Sequence, residues 1–226
     1  MPSVAVRSGE TERSASASAL TWAVAWLTDR VLYLVRHGRT EANAGLRLQG
    51  RIDLPLNDVG RRQAAALGLA ITEIDRLICS PLLRTRQTAE VFGMEPEIDD
   101  RWMEMDYGVM DGVRMAEISP EMWDLWTSDA DYAPEGGETL HELAARVWAA
   151  CNDLIDDART RNIVVVTHAT PIKAGMAWAL GAEASLTWRA FVDQASITRI
   201  IVRDRGPVLA AFNVVPPLVD DQPAGR

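Results

Sequence analysis

The sequence predicts an α/β fold: a three-layer αβα sandwich whose sheet is mostly parallel and carries an antiparallel hairpin at its edge. Three observations lead there. Short β-branched runs alternate with segments of helical period along the chain, the pattern of parallel strands joined by crossover helices. The last two runs are separated only by Asp204, Arg205 and Gly206, too little for a crossover and suited to a tight turn. At 226 residues, 48% hydrophobic and 24% charged, the chain has enough apolar material for one domain plus an extension.

In chain order, residues 1–29 form an N-terminal extension rich in Ser and Ala, expected to be flexible and to end in a short helix. Its run LTWAVAWL imitates a signal sequence. Arg7, Glu10, Glu12 and Arg13 make the leader mixed in charge, however, which argues against secretion. Residues 30–215 form the main domain. Its strands are expected at 31–35, 76–79, 163–167, 197–203 and 208–214, with a short one at 97–98. Its helices are expected at 58–71, 81–92, 115–126, 138–159 and 171–180. Ser80 and Pro81 read as an N-cap and first helical position. Leu140, Leu143, Ala144, Val147, Trp148, Cys151, Leu154 and Ile155 recur at helical spacing, so that segment presents one apolar face with Trp148 in the core. Residues 216–226, with Pro and Asp and no period, read as a disordered tail.

A formal charge of −9 and a pI near 4.9 argue against nucleic acid and anionic membranes as partners. No apolar stretch approaches the roughly 20 residues of a membrane-spanning helix. Cys79 and Cys151 stand far apart inside apolar runs, as small core residues in a reducing, cytoplasmic setting do. The acids are scattered and no metal-ligand spacing occurs, so neither a metal nor another cofactor is expected. The oligomeric state is open, a homo-oligomer included.

Chemistry concentrates at two of the three histidines. His37 follows LYLVR and His168 follows IVVVT. Each therefore stands at the carboxyl end of a strand, where open α/β sheets bind ligands. His141, in the first turns of a long helix, receives no role. Around His37 the surroundings favour an anion. Arg36, Arg39, Arg47, Arg51, Arg61 and Arg62 face only Glu41, Asp53 and Asp58 within 36–62, a local positive surplus in an acidic protein. Arginine suits phosphate because its planar fork holds two oxygens and stays charged. Arg84 lies just inside the helix after Ser80-Pro81, at another strand end.

These residues resemble a known family. Leu34-Val35-Arg36-His37-Gly38 with Thr40 and Asn43, then Gln49-Gly50, Asp53, Pro55-Leu56, Gly60 and Gln63, are similar to the signature of the histidine phosphatase superfamily, which includes the cofactor-dependent phosphoglycerate mutases. Ser80-Pro81-Leu82 with Arg84 and Gln87-Thr88-Ala89, Glu104 with Tyr107-Gly108 and Gly112, Gly136-Gly137-Glu138, and Thr167-His168 continue it in order, from about 31 to 214.

The resemblance implies a role for each residue. His37 would be the nucleophile, taking the phosphoryl group on one ring nitrogen while the other donates to a carbonyl. Arg36, Arg84 and His168 would surround the phosphoryl oxygens, His168 helping most when protonated. Glu104 would protonate the leaving oxygen and then activate water, a role that asks for a raised carboxyl pKa. Thr40, Asn43, Gln49, Gly50, Tyr107 and Ala169 would lie near the substrate, a small phosphorylated metabolite.

Within that family the sequence favours a phosphatase. Mutases carry a longer, lysine-containing insertion after the proton donor, whereas residues 112–137 are short and lack lysine, predicting a site open to water. Cofactor-dependent mutase activity is the alternative, and a non-catalytic phospholigand-binding relative is disfavoured because His37 and Glu104 are both present. Two departures border the site: Ala169 replaces the usual glycine, and Met110-Asp111 replaces a tryptophan-glutamate pair. The run His168-Ala169-Thr170-Pro171-Ile172-Lys173 is similar to the acid or α-ribazole phosphatase portion of actinobacterial proteins that also carry a ribonuclease H domain. Lys173 is the only lysine in the chain, and either substrate binding or a neutral accident of composition explains it.

Overall fold

The computed structural model describes residues 30–218. The expected extension at 1–29 and residues 219–226 of the expected tail lie outside the described residues. Six strands form one mixed sheet: β1 (Leu32–Arg36), β2 (Arg76–Cys79), β3 (Glu97–Ile98), β4 (Ile163–Thr167), β5 (Ile197–Arg203) and β6 (Gly206–Val214). Their spatial order is β3-β2-β4-β1-β5-β6. Strands β3, β2, β4 and β1 pair in parallel, β5 runs antiparallel to β1, and β6 folds back along β5 as the edge hairpin.

Helices cover both faces. They are α1 (Glu41–Ala44), α2 (Asp58–Ala70), α3 (Leu83–Ala89), α4 (Pro120–Ser128), α5 (Leu140–Leu154) and α6 (Ala169–Leu180). Strand β4 shows why three layers form. Ile163 and Val165 join the core shared with Leu143, Val147, Cys151 and Ile172 of α5 and α6, while Val164 and Val166 join the one shared with Leu67 of α2 and Ala89 of α3. Alternate side chains leave a strand on opposite faces, so a run of unbroken β-branched residues buries both. Cys79 and Cys151 are free and buried. Among the described residues no helix is long and apolar enough to cross a membrane.

Several expectations need correcting. Ser80 does not cap a helix: α3 starts at Leu83, its N-cap Leu82 offers no side-chain bond, and the Leu83 amide is received by Asp53 Oδ1 at 2.7 Å instead. The Ser80 hydroxyl accepts the Leu82 amide only at 3.5 Å and has its closer partner elsewhere. The segment 115–126 is a 3-10 turn, Met115–Glu117, followed by a separate α4, because Ser119 caps a helix whose first residue is Pro120 and a residue before proline avoids the helical region. The long helix spans Leu140–Leu154, opened by a Thr139/Glu142 capping box, and Asp157–Arg159 is a 3-10 turn. Helix α6 begins two residues earlier than expected, at Ala169, with Pro171 accommodated in its first turn. Trp148 is half-buried rather than core, its indole donating to the Ala174 carbonyl at 2.9 Å.

Candidate active site

The two histidines meet because their strands are nearest neighbours. The β1–β4 register pairs Arg36 with Thr167, so the next residue on each strand is a histidine, and the His37 amide still bonds the Thr167 carbonyl at 3.0 Å. Adjacent strands lie about 4.8 Å apart, and the ring centroids are 5.1 Å apart, edge to face. His37 Nδ1 lies 2.7 Å from the Gly38 carbonyl oxygen. A carbonyl only accepts, so Nδ1 carries the proton and neutral His37 presents its lone pair at Nε2. Gly38 is tied down in turn: a methyl group there would collide with the Gly60 carbonyl, and one on Gly60 with the Arg39 carbonyl. Burial, with Arg84 and Arg36 nearby, holds the His37 pKa well below 6.5.

His168 is fully buried. Arg84 Nε donates to its Nδ1 at 3.2 Å, which puts the ring proton on Nε2, 2.8 Å from Ser80 Oγ. Burial and then the Arg84 charge push its pKa well below 6.5. His168, with Nδ1 accepting from Arg84, is therefore neutral, not the cation that would help most. Arg84, also fully buried, donates to the carbonyls of Ile52 (2.9 Å) and Gly50 (2.8 Å) and more weakly to that of Gln49 (3.4 Å). Burial lowers its pKa to about 10. Among the described residues neither Arg84 nor Arg36 has a carboxylate within 4.0 Å. Arg36 is half-buried, gives one guanidinium N–H to the Val192 carbonyl, and keeps a buried Nε without a partner.

Glu104 approaches from the loop after β3. Its carboxylate receives the amides of Met105 (2.9 Å), Ala169 (3.1 Å) and Thr170 (3.2 Å), so it caps α6, whose own N-cap, His168, gives the helix no side-chain capping bond. Arg146 braces this loop from behind, donating to the carbonyls of Arg101, Met103 and Glu104 while paired with Glu138.

His37, Arg36 and Glu104 line a cavity of about 410 Å³, with Asn43, Gln49, Tyr107, Ala169 and Lys173 also on its wall. Arg84 and His168 stand behind that wall. Thr40 is buried and caps α1; its hydroxyl lies 2.6 Å from Gln49 Oε1 and 3.1 Å from Asn43 Oδ1, so it positions both. Gly50 is buried and exposes no side chain; it matters through its carbonyl, held by Arg84, and its amide, held by Asp111. Burial raises the Tyr107 pKa beyond its ordinary range. The segment 112–137 does not leave its side of the cavity bare: Met115, Trp123 and Trp126 form an apolar wall there.

Two contributors escaped the sequence reading. Asp111 accepts the successive amides of Gly50, Arg51 and Ile52, each at 2.8 Å; the only sign of it was the departure from the family pattern. Arg146 is a charged residue in a segment read for its apolar face. Among the described residues no three acid, histidine or cysteine side chains converge on a point that could hold a metal ion.

The family model "Histidine phosphatase superfamily (branch 1)" matches residues 32–215. The bifunctional protein Rv2228c of Mycobacterium tuberculosis is 32% identical over 187 residues, covering 78% of this chain and 51% of that protein; the chain thus spans about half the length of the first curated relatives it matches. Phosphoserine phosphatase 1 of Hydrogenobacter thermophilus is 31% identical over 193 residues, 81% of this chain and 92% of that one. A probable phosphoglycerate mutase, GpmB of Salmonella newport, is 34% identical over 182 residues, 75% of this chain and 83% of that one. The structure of mycobacterial glucosyl-3-phosphoglycerate phosphatase Rv2419c with VO3 superposes with a TM-score of 0.72 at 28% identity, covering 82% of this chain and 99% of that one. With a family match over most of its length and the paired histidines in place, the chain belongs to the histidine phosphatase superfamily.

Proposed function

We propose that the protein is a phosphomonoesterase that hydrolyses a small phosphorylated metabolite through a phosphoryl group carried on His37 Nε2. The observation that carries the reading is the Nδ1–H bond to Gly38, which leaves Nε2 as the nucleophilic lone pair in a cavity shared with Arg36 and Glu104. In the first step Nε2 attacks phosphorus, the ester P–O bond breaks, and Glu104 gives its proton to the leaving oxygen. In the second, Glu104 takes a proton from water as its oxygen attacks phosphorus, the P–N bond breaks, and inorganic phosphate leaves. Arg36, Arg84 and His168 supply the positive and hydrogen-bonding surroundings that the phosphoryl oxygens need, so the scheme uses no metal.

Hydrolysis is preferred to return of the phosphoryl group. Residues 112–137 contain one cation, Arg114, against six acids, and the part that reaches the cavity is apolar. Neither feature would retain a bisphosphorylated intermediate. Residues 30–215 constitute the catalytic domain in this reading, and free, buried Cys79 and Cys151 suit a cytoplasmic setting.

Phosphate release from a panel of phosphoglycerates, sugar phosphates and nucleoside-like monophosphates, with chelator present, tests it. His37→Ala should lose about 10³-fold or more in kcat, and Glu104→Gln about 10²-fold or more. An acid-labile phosphoprotein should be trapped from wild type and not from His37→Ala. Undiminished activity in His37→Ala, abolition by chelator, or isomerisation of 3-phosphoglycerate faster than its hydrolysis would overturn the reading.

A further inference from the structure

Lys173 projects into the cavity from the same face of α6 as Ala169 and Thr170, whose amides hold Glu104. Positions three and four residues apart share a helix face, so Lys173 lies about one turn, some 5.4 Å of rise, beyond the glutamate. It is half-buried, and among the described residues no hydrogen bond or ion pair reaches its ammonium group. Glu104 is the one acid on the cavity wall, and both its oxygens already receive backbone amides. Desolvation lowers the Lys173 pKa, opposed by the Glu104 charge. A half-buried ammonium without a partner is costly unless a ligand supplies the counter-charge.

The surroundings narrow the ligand. Trp123, Trp126, Trp188 and Phe191 share the cavity, and of the other two cations on its wall Arg36 stands beside His37, where the phosphate is placed, while Arg47 is exposed at the surface with one N–H given to the Gly112 carbonyl. With Arg36 engaged by the phosphate, the one half-buried positive charge left among the aromatic rings matches a monoanion. A second phosphate dianion would need a second cation beside it.

We propose that Lys173 is a specificity-determining residue that receives a carboxylate carried by the leaving group, so that the preferred substrates are carboxylate-bearing phosphomonoesters. The proposal rests on the phosphatase reading, with the phosphate at His37 and the carboxylate one helical turn away.

The pair 3-phosphoglycerate and glycerol 3-phosphate tests it, because they differ only in a carboxylate replaced by a hydroxymethyl group. Turnover is measured in wild type, Lys173→Met and Lys173→Arg, and binding by calorimetry with and without Lys173→Met in a His37→Ala background. Lys173→Met should raise KM and Kd for 3-phosphoglycerate about tenfold or more, change those for glycerol 3-phosphate less than about twofold, and be largely rescued by Lys173→Arg. Equal losses on both esters would show that Lys173 acts on Glu104 or the phosphate in general, and no loss on either would remove it from recognition; both results overturn the proposal. If wild type releases phosphate from neither ester, the hydrolase reading is decided on the wider panel, and the binding comparison still decides the carboxylate site.

Discussion

At the scale of single residues, the site is built on two imidazoles that folding keeps neutral. His37 and His168 are buried beside Arg84 and Arg36, and both pKa values lie well below 6.5. In the unfolded chain histidine titrates near 6.5. Below that pH the unfolded chain takes up protons that the folded protein refuses, so stability is complete above about pH 6.5 and falls as the pH drops towards the folded values. Each histidine contributes up to about 1.4 kcal/mol per pH unit within that window. Urea unfolding at pH 7.5, 6.5 and 5.5 should therefore show constant stability across the first interval and a decline across the second. A flat result down to pH 5.5 would mean that the histidines protonate in place. The same depression keeps His37 Nε2 unprotonated, so kcat/KM should show no acid limb at pH 6.5; the limb belongs lower.

At the scale of elements, residues 49–52 form a short loop gripped from both sides. Asp111 takes the amides of Gly50, Arg51 and Ile52, and Arg84 takes the carbonyls of Gln49, Gly50 and Ile52. The loop thereby fixes the guanidinium that bonds His168. Asp111→Asn replaces one acceptor oxygen with an NH₂ facing backbone donors, so at least one amide loses its partner. We expect a loss of about 1–3 kcal/mol in chemical denaturation and a fall of about tenfold or more in kcat, with little change in KM, because in the proposed mechanism Arg84 would act on charge that develops during transfer. Unchanged kcat would show that Arg84 holds its place without the loop. This clamp was hard to read from sequence, since it depends on where Gly108 and Gly112, at φ +51° and +85°, turn the chain. Continuous features were legible: β2, β3, β4 and β5 span the residues expected of them, with β4 and β5 the clearest because they are β-branched runs. The break at Ser119-Pro120 was also written in the chain, although helical period outweighed it. Ser80 misled because its hydroxyl bonds a histidine 88 residues away, a partner that local capping rules do not weigh.

At the scale of the whole molecule, the strand order decides the chemistry. Two histidines at strand ends were visible in the sequence, but the sequence pattern left open whether their strands were neighbours, and the order β2-β4-β1 is what sets the rings 5.1 Å apart. The same convergence gathers positive charge that the fold itself does not neutralise. The protein carries −9 overall, yet Arg84 and Arg36 have no carboxylate within 4.0 Å among the described residues, and burial depresses both their pKa values. Desolvated, unpaired guanidinium groups oppose folding, so an anion of the right geometry should stabilise the folded state by binding it alone. Inorganic phosphate at about one hundred times its Kd should add about 2.7 kcal/mol, or about 5–10 °C in the thermal midpoint of a domain of this size. Chloride at matched ionic strength should do far less, and Arg36→Gln should remove most of the phosphate effect while leaving the chloride baseline in place. A midpoint that phosphate and chloride move equally would mean that the cluster is satisfied without a ligand, and that the positive field around His37 is not tuned to a phosphoryl group.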